Sequence, residues 1–172
     1  MFKNVFGLQL LMMMLIFTTL LQGRLRASEF AYVLPQNIAI EITEQTVKGN
    51  NIRFAAIITA RLGTLEDLEI FFASSKDLQI LSNTTTLKSL SPDSPRKIKI
   101  LAVKTGQKTD KLGSWFKMNV RYLPDYQAIK NSIGDAGKYP AASERQKLFD
   151  IVEKNAAAKA KYTETSRYFL KD

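Results

Sequence analysis

The feature that most constrains this chain is an alternation of apolar and polar residues between positions 38 and 122. It is clearest where six apolar side chains recur at every second position: Ile52, Phe54, Ala56, Ile58, Ala60 and Leu62. Successive side chains of a β-strand point to opposite sides, so this spacing predicts a strand with one buried face. The segment is therefore predicted to be β-rich.

The same alternation recurs in shorter runs separated by polar turns. Their predicted inward faces are Ile38, Ile40 and Ile42; Leu68, Ile70 and Phe72; Leu78 and Ile80; Ile98, Ile100 and Ala102; and Phe116, Met118, Val120 and Tyr122. Turns are expected at residues 47–51, 91–95 and 105–113, and residues 83–86 are expected to be loose. Short strands at this spacing favour an antiparallel β-sandwich, in which one face of each sheet packs in the core and the other is exposed to water.

In strand order the chain resembles the immunoglobulin-like sandwiches of bacterial exported proteins. A long strand (residues 52–62) leads into Leu65 to Ile70, then a short strand, a Pro-containing loop, a basic strand and a closing strand that ends in Val120-Arg121-Tyr122. The resemblance covers about residues 36–124 and implies the layout alone. Sandwiches of this kind serve as adhesion, spacer, chaperone and accessory modules, so no binding residue is carried over.

The N-terminus indicates export. Lys3 is followed by 17 residues from Val5 to Leu21, mostly apolar, and then by Arg24, Arg26 and Ala27. A basic start, an apolar middle and a small residue near position 27 are typical of a signal peptide. The run also meets the lower length limit of a membrane-spanning helix, and the arginines are unusual beside a cleavage site. Residues 1–27 are therefore predicted to be a signal peptide or a retained N-terminal membrane anchor through residues 5–21.

The remaining 145 residues are enough for one ordinary domain. We expect a sandwich domain over residues 36–124, a linker over 125–142 and a C-terminal helix with its tail over 143–172. The 172 residues contain no Cys, so an exported chain of this kind must fold without disulfides, which suits a bacterial envelope protein.

The predicted C-terminal helix has one apolar stripe. Ser143 and Gln146 have the spacing of a capping box, and the stripe comprises Leu148, Ile151, Val152 and Ala156. Such a stripe packs on its own domain or docks on a partner protein or membrane surface, and both interpretations are open at this point.

The chain also has no His, which together with the lack of Cys excludes Ser-His-Asp and Cys-His catalysis and zinc sites built from these ligands. No cofactor or metal is expected. The carboxylates Glu66, Asp67 and Glu69 cluster at a strand start and could serve a hydrolase only if burial raised the pKa of one of them. We therefore predict that the chain is not an enzyme.

Charge is distributed unevenly over a chain with a formal net charge of +9. Residues 28–92 carry five basic and seven acidic groups, whereas residues 93–138 carry ten and four. Alternation places Lys97, Lys99, Lys117 and Arg121 on solvent-facing positions of two strands. If those strands are neighbours, the four cations form one basic face that attracts an acidic polymer, lipid head groups or an acidic partner; otherwise they are solvated surface charges.

Together these features predict a non-catalytic structural or adaptor module of the cell envelope, periplasmic or extracellular, that acts through contacts with an envelope or secreted protein. The alternatives are an envelope-associated binder of polyanions or carbohydrate, including anionic lipid or polysaccharide, and a small carboxylate-dependent hydrolase. Nucleic acid is not expected as a partner, because few aromatic residues accompany the basic ones.

Overall fold

The computed structural model describes residues 34–107 and 113–170, which form eight strands and two helices. The strands are β1 (Ile38–Lys48), β2 (Asn51–Ala60), β3 (Leu65–Ser74), β4 (Leu78–Ile80), β5 (Thr85–Leu90), β6 (Arg96–Lys104), β7 (Trp115–Leu123) and β8 (Tyr162–Phe169). The helices, α1 (Tyr126–Gly134) and α2 (Ala142–Ala157), lie between β7 and β8 in the chain. The predicted signal or anchor segment lies outside the described residues.

Two antiparallel sheets of four strands form the sandwich. The first sheet has the order β1-β2-β6-β4 and the second β5-β3-β7-β8. The antiparallel β-sandwich predicted from the sequence is confirmed. The first hairpin shows how the sequence sets the register: Lys48 faces Asn51, and Gly49 between them has a φ of +59°, which glycine adopts without steric cost in a two-residue turn.

The core lies between the sheets and is built from the inward positions of the alternating runs. Ile58, Ile70, Ile100 and Tyr122 are each fully buried. Phe54 of the first sheet and Phe116 of the second have ring centroids 4.7 Å apart, a favourable tilted contact of aromatic rings. The predicted inward face of β7, from Phe116 to Tyr122 at every second position, is confirmed by burial.

One side of the sandwich is closed by a buried polar tie between the sheets. The Glu164 carboxylate of β8 accepts a hydrogen bond from the Tyr122 hydroxyl at 2.5 Å and another from the backbone N–H of Asn37 at 2.9 Å, just before β1. Burial, together with the hydrogen bond to Glu164, raises the pKa of Tyr122 above its ordinary value. The tyrosine is therefore held as a neutral donor.

A second tie joins the turn after β3 to the start of β7. The Asp77 carboxylate accepts a hydrogen bond from the Ser114 hydroxyl, and the Ser75 hydroxyl accepts one from the Trp115 backbone N–H at 3.0 Å. Burial acts to raise the pKa of Asp77, but hydrogen bonds from Ser114 and Ser75 outweigh it and hold that pKa below 3.8. The carboxylate therefore stays ionised and fastens the strand ends together.

Two strands and one helix are additions to the sequence prediction. Residues 83–86 were predicted to be loose and no strand was predicted between them and residue 91, yet residues 85–90 form β5 at the edge of the second sheet. Residues 162–169 were expected to be a tail, yet they form β8 and pair with β7 along its whole length. Within the predicted linker, the Asp125 carboxylate caps α1 by accepting a hydrogen bond from the Ala128 N–H at 3.0 Å.

The predicted capping box of the C-terminal helix is wrong. Helix α2 has its N-cap at Ala141, two residues before Ser143, and no side chain caps it, so Ser143 lies inside the helix. It ends at Ala157, because Lys159 has a φ of +48° and the Ala160 N–H bonds to the Asn155 carbonyl at 2.9 Å. This left-handed stop turns the chain into β8.

In the described part of the chain, neither helix is long and apolar enough to cross a membrane.

Candidate functional site

The structure separates the four predicted basic residues into two pairs. Lys97 and Lys99 lie on β6 in the first sheet, and Lys117 and Arg121 lie on β7 in the second. Because β6 and β7 belong to different sheets, these side chains project from opposite outer faces of the sandwich. The single basic face is therefore not formed, and each outer face must be considered by itself.

The apolar stripe of the C-terminal helix is mostly used inside the molecule. Leu148 and Val152 are fully buried, as are Ile129 and Ile133 of α1, and an ion pair of 2.9 Å between Lys130 and Glu153 links the two helices. Ala156 is half-buried, and Ile151 is exposed. Of the four predicted docking residues, only Ile151 is left at the surface for a partner.

The outer face of the second sheet carries an aromatic patch, which we define as Trp115, Lys117, Arg167 and Phe169. Trp115 of β7 faces Phe169 of β8, and Lys117 faces Arg167 in the same register. The Lys117 ammonium lies 5.5 Å from the centroid of the Trp115 ring, and the Arg167 guanidinium carbon lies 4.9 Å from it. Both distances are typical of cation–π contacts. Phe169 is 45 % exposed.

Electrostatically the aromatic patch is unusual, because two cations occupy directly opposite positions of neighbouring strands. Such like-charged pairs are destabilising by themselves, and the indole ring offsets this by attracting both. Within residues 34–107 and 113–170, neither cation forms an ion pair with a carboxylate. Arg121 on the same face differs, since its guanidinium is bonded to Glu69.

The outer face of the first sheet carries a basic groove, which we define as Arg53, Lys97, Lys99 and Leu101 around Ala55. In the register of β2 and β6, Arg53 faces Leu101 and Ala55 faces Lys99. The small side chain of Ala55 leaves a depression of about 490 Å³ lined by all five residues. A neighbouring depression of about 290 Å³ extends from Arg53 and Leu101 to Lys48 and Leu81.

The cations of the basic groove are only partly neutralised. Lys97 forms an ion pair of 2.6 Å with Glu44. Arg53 and Lys99 form none with any carboxylate in the described part of the chain. The groove therefore keeps a net positive charge, next to two exposed leucines, Leu81 at 51 % and Leu101 at 46 %.

The carboxylates considered for a hydrolase are engaged at the surface. Glu66 and Asp67 are exposed, Glu69 pairs with Arg121, and Asp67 lies 3.8 Å from the Lys161 ammonium. The described residues hold no group of three or more His, Cys, Asp or Glu side chains that could bind a metal ion. The buried carboxylate of Asp77 has a lowered pKa, the opposite of what a general acid needs.

Sequence reasoning did not assign five residues of these surfaces: Arg53, Leu101, Trp115, Arg167 and Phe169. The position of Arg53 beside Lys99 depends on the pairing of β2 with β6. Arg167 and Phe169 reach Trp115 only because β8 pairs with β7. Alternation of Thr163, Thr165, Arg167 and Phe169 was the available signal.

No protein-family model matches the sequence, and no curated protein matches it. Among solved structures, the chain is similar to the GAE domain of GGA2p from Saccharomyces cerevisiae. The TM-score is 0.42 and the sequence identity 13 %, over 80 % of this chain and 92 % of that chain.

Proposed function

We propose that this protein is a non-catalytic binding module that holds a partner protein on its aromatic patch. The observation that carries the proposal is the pair of cations stacked over Trp115 next to the exposed ring of Phe169. Trp, Phe and Arg are enriched in protein–protein interfaces, and Trp and Arg supply much of the binding energy there.

The aromatic patch suits recognition of a partner protein because contacts within the sheet already hold its side chains in position. Trp115 is half-buried, and the cations on either strand restrict its movement, so little conformational entropy is lost when a partner covers it. The two unpaired charges favour a partner with a carboxylate beside an apolar contact, since complementary charge fixes orientation and speeds association.

The module acts, in this proposal, outside the cytoplasm as an adaptor of the cell envelope. The basic, then apolar, N-terminal segment of the sequence supports export, and the lack of Cys suits an envelope protein that folds without disulfides. The carboxylates considered for a hydrolase do not favour that alternative, because Glu66 and Asp67 are exposed and Glu69 is paired with Arg121.

The test is site-specific photo-cross-linking in intact cells. A benzoylphenylalanine in place of Thr165, on the outer side of β8 beside the aromatic patch, should yield a defined adduct with one partner protein. The same group in place of Thr46, on the outer side of β1, is the matched control and should not yield that adduct.

The charge reversal Arg167→Glu should abolish the Thr165 adduct, whereas the reversal Lys99→Glu on the opposite face should leave it intact. An adduct that forms equally from both positions, or that survives Arg167→Glu unchanged, would overturn the proposal. Thermal unfolding of each variant verifies that the sandwich is intact.

A further inference from the structure

The structure points to a second binding surface, and we propose that the basic groove with its two leucines is a docking site for an anionic lipid bilayer. This inference is independent of the proposed function, since it concerns the opposite sheet. It depends on three features of the outer face of the first sheet: unneutralised cations, concavity and exposed aliphatic side chains.

The cations lie close enough together to act on one anionic surface. Lys97 and Lys99 are two positions apart on β6, which is about 7 Å along a strand. Arg53 is the diagonal neighbour of Lys99, because Arg53 faces Leu101 and Lys99 faces Ala55. Of these three cations, Lys97 alone has a carboxylate partner within residues 34–107 and 113–170, namely Glu44. Clustered cations of this kind are attracted to the negative surface potential of anionic lipids.

The depression over Ala55 can accept a headgroup phosphate. It is lined by Arg53, Lys97 and Lys99, and also by Glu44, the ion-pair partner of Lys97. A guanidinium donates two parallel hydrogen bonds to a phosphate, and an ammonium adds a mobile point charge. The floor is the Ala55 side chain, 4 % exposed, so a larger residue there would fill the site.

The exposed leucines favour a lipid bilayer over a soluble polyanion as the ligand of the basic groove. Leu81 and Leu101 lie side by side, since the Leu81 N–H bonds to the Leu101 carbonyl at 2.8 Å, and both line the depression that also contains Lys48 and Arg53. A soluble anionic polysaccharide offers these side chains no apolar environment. A bilayer offers phosphate groups for the cations and, directly below, an apolar boundary for the leucines.

The test is sedimentation of the full chain with vesicles of phosphatidylcholine, with and without phosphatidylglycerol. We expect stronger binding to the vesicles that contain phosphatidylglycerol, and a loss of this preference as salt is raised. Each cation removed should weaken the binding about fivefold, so Arg53→Gln with Lys99→Gln should weaken it roughly 25-fold. Because every variant has the same N-terminal segment, differences between variants report on the substituted positions.

The matched control removes the same charge from the opposite face. Lys117→Gln with Arg167→Gln should change vesicle binding by less than about twofold. Leu81→Ser with Leu101→Ser should weaken the binding that remains at high salt. Equal binding of the wild type and the groove variant to phosphatidylglycerol vesicles would overturn the inference.

Two other results would also overturn it: an equal loss in the control variant, and groove-dependent binding of polyglutamate or dextran sulfate without any preference for phosphatidylglycerol. The photo-cross-link tests the aromatic patch on the second sheet, and vesicle sedimentation tests the basic groove on the first sheet. Either proposal can therefore fail without the other.

Discussion

The two outer faces of the sandwich hold their cations in different ways. On the second sheet, Lys117 and Arg167 lie over the Trp115 ring and Arg121 is bonded to Glu69. On the first sheet, Arg53 and Lys99 have no such neighbour among the described residues, and they border a depression instead of a ring. A charged residue at an outward position of a strand therefore does not by itself indicate a binding site. The side chains around it, on its own strand and on the neighbouring strands, decide whether it is held in a fixed contact or stays free for a ligand.

The largest effect on the free energy of unfolding is expected from a substitution in the contacts between the two sheets. Such a substitution should affect both outer faces alike. Tyr122→Phe removes the donor to the Glu164 carboxylate, and we expect the free energy of unfolding at neutral pH to fall by about 1.5–3 kcal/mol. Urea denaturation measures this. Cross-linking and vesicle binding by the folded variant should be unchanged, since neither surface contains Tyr122.

The same variant has a defined pH dependence. The folded protein keeps Tyr122 protonated above its ordinary pKa of 10.0, while the unfolded chain releases the proton there. The contribution of Tyr122 to stability is thus complete below pH 10 and declines as the pH rises further. The difference between wild type and Tyr122→Phe should shrink in alkali; a constant difference would contradict this.

The two faces should differ in what their exposed apolar side chains contribute to stability. Trp115→Ala removes a half-buried ring and two cation contacts, and we expect a loss of about 2 kcal/mol. Leu101→Ala, on the opposite face, should cost less than about 0.5 kcal/mol, because its side chain is 46 % exposed. Urea denaturation of the pair checks the contrast, and equal losses would remove the distinction between the faces.

The smallest effect concerns single charges. Arg121→Gln should lower stability by less than about 1 kcal/mol through loss of the exposed pair with Glu69, and added salt should reduce that loss. Arg53→Gln should leave stability unchanged or raise it slightly, since it relieves repulsion from Lys99. The sign of the two changes, measured in low salt, tests whether the cations of the groove are free.

The sequence was sufficient for most of the sandwich because its core strands alternate strictly. In β2, β6 and β7 every buried inward residue is apolar, so the pattern of apolar residues at every second position coincides with the pattern of buried side chains. Strand β8 escaped prediction because its inward positions include Glu164 and Ser166 between Tyr162 and Tyr168. A carboxylate faces inward there since it bonds to Tyr122 and to the Asn37 N–H at the rim.

The surfaces were harder to predict because they depend on which strands are neighbours. Alternation placed Lys97, Lys99, Lys117 and Arg121 outward correctly, but it does not reveal that β6 pairs with β2 and β7 with β8. Helix α1 was missed for a local reason: Asn131, Ser132 and Gly134 obscure a short stripe of Ile129 and Ile133, both of which are fully buried in the fold.

The place of β8 in the chain has a consequence for the order of folding. Its partner β7 is synthesised about 40 residues earlier, with both helices made in between. Until residues 162–169 pair with β7, one edge of β7 has backbone donors and acceptors without hydrogen-bond partners. Trp115 then also lacks Phe169 beside it. Unpaired edges of this kind recruit other strands, and late pairing slows folding. A chain whose second sheet has not yet been closed by β8 is thus open to edge-to-edge association through β7, the strand that carries Trp115 of the aromatic patch.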